Sequence, residues 1–278
     1  MNKINPEDLA PELREKWKNL QCLLKAKQAI LVACSGGVDS SFLLYAATVA
    51  LPEKVFAITI NNVLMPKKET QLAFDTVKEM RTPWQSLQMD ILSIPEISHN
   101  SIDRCYHCKK FLFTAVKELA VQKGIDTIAE GKNFDDQKFF RPGNRAAEEL
   151  GLFQPLFEAK LTKQDIRDLA KAAGLSFWSR PAAPCLATRF PYNTDLTLEK
   201  LEQVENGEEI LRKLGFEVFR LRHHGDLCRI EVPTSEIPEL LAKSKSLLPA
   251  LAELGFSHVC VDLNGYKSGS MDRDVEIQ

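Results

Sequence analysis

Seven consecutive residues, Ser35-Gly36-Gly37-Val38-Asp39-Ser40-Ser41, lie between a short apolar run at 29–34 (AILVAC) and an apolar stretch with helical character. Two glycines let main-chain amides come close to an anion, and the helix that follows adds free N–H groups and a positive dipole end. The three serine hydroxyls can donate further bonds. Asp39 offers a hard oxygen ligand for the Mg²⁺ that accompanies phosphates. The lysine of a Walker loop is missing, so γ-phosphoryl transfer loses support. Two more groups of residues carry chemistry. Cys105-Tyr106-His107-Cys108 opens an amphipathic helix, where thiolates are favoured. Cys185 lies in a proline-bracketed loop, Pro184-Cys185-Leu186-Ala187-Thr188-Arg189-Phe190-Pro191. Three thiolates could hold three irons of a 4Fe–4S cluster and leave the fourth iron open. A zinc site with His107 as fourth ligand is the alternative. Cys34 and Cys260 read as core packing, and Cys22 and Cys228 carry no signal. Arg220 and Arg222 alternate along an extended run, so both reach one face and can grip one phosphate. Glu231 reads equally as a pairing partner or a metal-site residue, and His223 and His224 as surface or hairpin residues.

The elements that must position these groups alternate in the first half. Apolar runs at 29–34, 54–61, 84–91 and 126–131 read as strands, separated by helical stretches at 41–50, 67–80 and 105–123, after a surface helix at 6–27. That alternation predicts a parallel sheet covered on both faces, with ligands beyond the carboxyl ends of the strands. The middle, 139–192, is broken by five prolines around one helix at 162–173. Beyond Leu196 the pattern becomes helix, strands at 217–224 and 227–232 joined by a hairpin turn at Gly225, helix, and a strand at 258–264. We expect an α/β fold: a parallel-sheet nucleotide-binding domain over 1–180 and a smaller C-terminal α+β domain over 181–278.

A formal charge of −2 with 27% charged residues gives no global field for a nucleic-acid polymer or an anionic membrane. No apolar run approaches the ~18 residues of a membrane helix, and 1–27 is too charged for a signal peptide. The chain reads as cytoplasmic. In that reducing compartment seven cysteines suggest metal or sulfur chemistry before disulfides.

The SGGVDSS segment resembles the PP-loop of ATP pyrophosphatases, in which the loop holds the pyrophosphate leaving group. That likeness makes Ser35, Gly36, Gly37, Asp39, Ser40 and Ser41 the ATP-binding residues, with Asp39 also catalytic. Residues 130–136 (EGKNFDD) are similar to a second PP-loop turn near the nucleotide, which adds Asn133 and Asp136. Together with 104–109 (RCYHCK), 139–143 (FFRPG), 184–192 (PCLATRFPY) and 219–232 (FRLRHHGDLCRIEV), these segments resemble the LarE family, sulfur transferases of nickel-pincer-nucleotide biosynthesis. The resemblance runs in order over most of the chain. It implies that ATP adenylates a carboxylate of pyridinium-3,5-biscarboxylic acid mononucleotide and that sulfur displaces AMP. It further implies ATP, Mg²⁺ and, in members with three cysteines, a 4Fe–4S cluster on Cys105, Cys108 and Cys185. Cys185 is then a ligand and catalytic residue instead of a sacrificed sulfur donor. Arg220 and Arg222, with Thr188 and Arg189, would hold the substrate phosphate. A sulfide donor and a homo-oligomer are also implied. The rival readings are a tRNA thiolase, disfavoured by the lack of an added RNA-binding domain or basic stripe, and a non-catalytic nucleotide- or zinc-binding module.

Overall fold

The computed structural model describes residues 3–138, 142–181 and 183–267. Of the 139–143 stretch, Phe139, Phe140 and Arg141 lie outside them. Along the chain run α1 (Pro11–Lys25), β1 (Ile30–Ala33), α2 (Val38–Ala50), β2 (Val55–Asn61), α3 (Lys67–Glu79), β3 (Trp84–Gln88) and a one-turn α4 (Pro95–Ser98). Then come α5 (Arg104–Gln122), β4 (Ile128–Ala129), α6 (Gly143–Glu149), α7 (Pro155–Glu158) and α8 (Lys163–Ala172). The last elements are α9 (Leu198–Lys213), β5 (Arg220–His224), β6 (Leu227–Glu231), α10 (Ile237–Ala242), α11 (Ser244–Glu253) and β7 (His258–Val261).

Two compact units result: Met1–Asp90 with Asp103–Ala183, and Ile91–Ile102 with Pro184–Gln278. In the first, four parallel strands lie in the order β3-β2-β1-β4. Strand β1 is buried on both faces. Ile30 and Val32 join the core formed with α1, α2 and α8, while Leu31 faces Phe113, Val116 and Leu119 of α5. Each such side chain contributes about 1.5–3 kcal/mol by leaving water. The chain builds outward from β1 to β3 and then crosses to the other side for β4. The carboxyl ends of β1 and β4 are therefore the topological switch point beyond which such sheets bind ligands. Strand β4 is shorter than the 126–131 expected, because Glu130 and Gly131 turn out of the sheet. A Cβ on Gly131 would meet the Ser40 main-chain nitrogen at 2.7 Å, so only glycine permits that approach to the head of α2.

In the second unit β5 and β6 form the expected antiparallel hairpin, with Gly225 at φ +75° in its turn, and β7 pairs parallel to β6. The segment Ile91–Ile102, read from sequence as part of the first domain, groups with this unit. The cause is Asn100, which is fully buried at φ +53°. Its Nδ2 donates to the Pro191 carbonyl at 2.8 Å, and its own carbonyl accepts from Asn193 N.

The two histidines expected as surface or hairpin residues both lie on β5 of the hairpin, in unlike surroundings. His224 is exposed on the hairpin, but His223 is buried, with its ring centroid 4.9 Å from that of Phe190 and 5.6 Å from that of Phe256. Burial, aided by the charges of Lys200 and His224, lowers its pKa from 6.5 to about 4. The unfolded chain therefore takes up a proton near pH 6.5 that the native protein refuses until about pH 4. Stability should fall as pH drops through that window, by about 1–3 kcal/mol from this residue. Urea titrations of the wild type and His223→Gln from pH 7 to pH 4 should converge toward acid; parallel curves would contradict the assignment.

Candidate functional site

The PP-loop leaves the carboxyl end of β1. Cys34 N donates to the Ile58 carbonyl and closes the strand; its thiol is buried in the core, as expected, and burial pushes the thiol pKa up. Gly36 takes φ +81°, and a Cβ there would meet the Glu69 carbonyl oxygen at 2.7 Å and Ala73 N at 2.8 Å. Gly36 is thus required by its left-handed backbone and by the closeness of α3. Gly37 is the N-cap of α2. The serines have different surroundings. Ser35 is exposed, whereas Ser40 is buried, accepts from Ser35 N and donates to the Gly37 carbonyl. Ser41 is fully buried. Ser35 is therefore the loop hydroxyl most open to a ligand.

Asp39, in the first turn of α2, stands at the junction of three elements. Asn133 Nδ2 donates to its Oδ2 at 3.0 Å, and Lys163 Nζ lies 2.9 Å from both carboxylate oxygens. Asn133 is itself fixed. Its N–H donates to Asp136 Oδ2, and its Oδ1 accepts from Asp135 N. Asp135 Oδ2 in turn accepts from Lys163 N, at the head of α8, where Thr162 and Asp165 form a reciprocal capping box. Asn133 and Asp136 thus shape the loop that brackets Asp39. Arg180 approaches from another side and donates from Nη1 to the Gly36 carbonyl. Lys163 and Arg180 were not singled out in the sequence. The capping box at 162–165 offered a clue, because it marks Lys163 as a first-turn residue, a position the helix dipole makes unfavourable for a cation.

Cys105 and Cys108 lie in the first turn of α5, Cys105 exposed and Cys108 half-buried. Arg104 Nη2 donates to Cys105 Sγ at 3.3 Å. One turn on, Lys109 pairs with Glu130, which also accepts from Gln154, so α5 is fastened to the loop after β4. His107 stands edge-on to Tyr106. Cys185 belongs to the second unit and is half-buried. None of the seven cysteines forms a disulfide. Among the described residues no three His, Cys, Asp or Glu side chains converge as a metal site.

Two buried arginines organise the loop that bears Cys185. Arg189 binds Glu208 through Nε and Nη2, both at 2.9 Å, while its Nη1 donates to the carbonyls of Pro184 and Cys185 and to Thr188 Oγ1. Arg222 binds Glu231 in the same two-pronged way, and its Nη1 donates to the Thr188 carbonyl at 2.9 Å. Glu231 is fully buried and also accepts from Arg229, which assigns it the role of pairing partner. Arg220 differs: it is half-buried, packs over the Tyr266 ring and reaches its hydroxyl. Burial first, then the nearby Arg189 charge, lowers its pKa; Arg222 acts in the same direction. An anion facing Arg220 would favour its charged form against these effects. Alternation along the strand suggested equal roles for Arg220 and Arg222, whereas their surroundings are unequal.

The loop, the parallel sheet and these arginines can be set beside known proteins. Residues 9–139 match the PP-loop domain family. The chain is 35% identical over 94% of its length to the pyridinium-3,5-bisthiocarboxylic acid mononucleotide synthase of Lactiplantibacillus plantarum, covering 95% of that protein. It is 34% identical to the protein slr1717 of Synechocystis sp., over 94% of this chain and 98% of that one. Identity to the protein MJ0830 of Methanocaldococcus jannaschii is 29%, over 94% and 96%. No helix among the described residues is long and apolar enough to cross a membrane. With its PP-loop on the expected strand and this end-to-end likeness to the synthase, the chain belongs to the LarE family of PP-loop sulfur transferases.

Proposed function

We propose that this chain activates a carboxylate of pyridinium-3,5-biscarboxylic acid mononucleotide with ATP and replaces it by a thiocarboxylate. The L. plantarum relative is named for the bisthiocarboxylic acid mononucleotide it makes, and the biscarboxylic acid is the acceptor that such a product requires. The observation that carries the reaction type is the PP-loop at the carboxyl end of β1, with Asp39 at its head. In this reading a carboxylate oxygen attacks the α-phosphorus of ATP, the bond to the bridging oxygen breaks, and pyrophosphate leaves. Sulfur then attacks the acyl carbon and AMP departs. A carboxylate is a poor electrophile until one oxygen becomes such a leaving group, and a thiolate or hydrosulfide is a strong nucleophile.

The residues suit those tasks. Main-chain amides of the loop and the α2 terminus face the pyrophosphate, and Ser35 adds an exposed donor. Asp39 is a hard, partly exposed oxygen ligand fit for Mg²⁺, which would screen the phosphate charges. Arg220 would meet the acceptor's phosphate. Arg222, Arg189 and Thr188 would hold the strand and loop around it.

Cys105 and Cys108 follow one another around a helical turn and are the kind of soft, unbridged donors that an iron–sulfur centre uses; Cys185, on the second unit, would be the third. Such a 4Fe–4S cluster supplies an iron without a protein ligand, where an external sulfide can be held. Under this reading Cys185 remains a cysteine through every cycle. A small-molecule sulfide donor is then the partner, and a reducing cytoplasm suits seven unbridged thiols.

With its acceptor, the protein should form AMP and pyrophosphate, and Asp39→Ala should stop both; ADP and orthophosphate would overturn the reading. Arg220→Ala should raise the acceptor KM roughly ten- to a hundredfold at unchanged ATP affinity, as the loss of one charge-assisted contact. Arg222→Ala should instead lower stability, by up to about 3 kcal/mol, because the buried Glu231 would keep only its Arg229 contact; chemical denaturation distinguishes the two. Finally, anaerobically reconstituted protein should bind close to four irons, and each of Cys105→Ala, Cys108→Ala and Cys185→Ala should lose them. Mass spectrometry after turnover should find Cys185 intact. A loss of ~34 Da there, the mass of H₂S and the mark of elimination to dehydroalanine, would establish sacrifice of the residue.

A further inference from the structure

We propose that Lys163 supplies the phosphate-binding charge that the PP-loop sequence lacks. Its ammonium rests on Asp39 and transfers to the pyrophosphate oxygens of ATP when Mg²⁺ takes the Asp39 carboxylate. The inference rests on Asp39 as the Mg²⁺ ligand and extends it to a residue outside the loop.

Four observations carry it. Lys163 Nζ is 2.9 Å from both Asp39 oxygens, so it occupies the lone pairs a metal would use. The side chains of Lys163 and Asp39 are 33% and 18% exposed, which leaves the pair accessible to a ligand. The Lys163 backbone is fixed by the 162–165 capping box and by the bond from its N–H to Asp135. Only the flexible four-carbon stem has to move. Last, other cations close to this loop face elsewhere: Arg180 donates to the Gly36 carbonyl, and Lys132 lies over the Phe157 ring.

The exchange is balanced in charge and moves no proton. Mg²⁺ binds carboxylate oxygen at about 2.0–2.1 Å and cannot share both oxygens with an ammonium. Lys163 therefore leaves Asp39 as the metal arrives. The phosphates that accompany the metal receive it beside the same loop. A cation at the first position of a helix is also disfavoured by the dipole, by about 0.3–1 kcal/mol. An anion in front of that terminus removes the penalty, whether it is Asp39 or a phosphate.

The test uses inorganic pyrophosphate as probe, by calorimetry on the whole chain, in EDTA and with Mg²⁺. Asp39→Asn releases Lys163 and should tighten metal-free pyrophosphate binding roughly tenfold, the worth of one charge-assisted contact. The gain should vanish in the double variant Asp39→Asn/Lys163→Met, and Lys163→Arg should stay close to wild type. Mn²⁺ binding, followed by electron paramagnetic resonance, should be tighter in Lys163→Met because the competing ammonium is gone. An Asp39→Asn gain that survives in the double variant, or Mn²⁺ affinity that ignores Lys163→Met, would reduce the pair to a structural tie. Should Lys163→Met fail to fold, the Asp39→Asn variant alone decides, since absence of any gain overturns the proposal. ADP formation by the wild-type enzyme would instead defeat the PP-loop reading, independently of these binding data.

Discussion

The carboxylate of Asp39 is gripped from two sides, by an amide from the loop after β4 and an ammonium from the head of α8. An anion in the first turn of α2 is already favoured by the helix dipole. Tying it to two further segments makes the position of one carboxylate depend on three elements that lie far apart in sequence. The glycines follow from this. Gly131 lets the second loop press against the Ser40 backbone, and Gly36 lets the first loop turn under α3. Neither approach tolerates a side chain, so the site can be assembled only if both glycines are kept. The Lys109–Glu130 pair extends the same scaffold to α5, so the loop that holds Asp39 also fastens the helix bearing Cys105 and Cys108.

The parallel sheet was legible because β1 and β2 are apolar on both faces and are separated by helical stretches. The PP-loop was legible because its glycines and Asp39 are contiguous. Strand β4 was read too long at both ends, and at its carboxyl end only the close approach at Gly131 shows why pairing stops. Depth was the harder property. Alternation along β5 put Arg220 and Arg222 on one face but could not show that Glu231 and Glu208 lie beneath that face. The burial of His223 could not be read from its hairpin position, because Phe190 and Phe256, which enclose it, are remote in sequence. Lys163 was hidden for a similar reason, since its partner lies 124 positions away.

Buried ion pairs seldom add net stability, because desolvating two charges costs about what their attraction returns. The Arg189–Glu208 and Arg222–Glu231 pairs are better understood through their remaining donors. Each guanidinium uses two nitrogens on its carboxylate and directs the third at a carbonyl of the Cys185 loop. The carboxylates hold the arginines still, and the arginines hold the loop. A reactive group gains from such positioning because orientation removes part of the entropic barrier in advance.

The clamp engages the carbonyls of Pro184, Cys185 and Thr188 and leaves the thiol alone. The loop would therefore keep its shape whether Cys185 ligates iron or surrenders its sulfur. Fixation of the loop thus favours neither sulfur chemistry. What separates the two is the pair at Cys105 and Cys108. A sacrificial donor needs no second or third thiol, and a helix start with an exposed cysteine beside Arg104 is a chemical liability without a use for it. Two more thiols in one helical turn, on a helix fastened to the Asp39 loop, are what the proposed cluster would use.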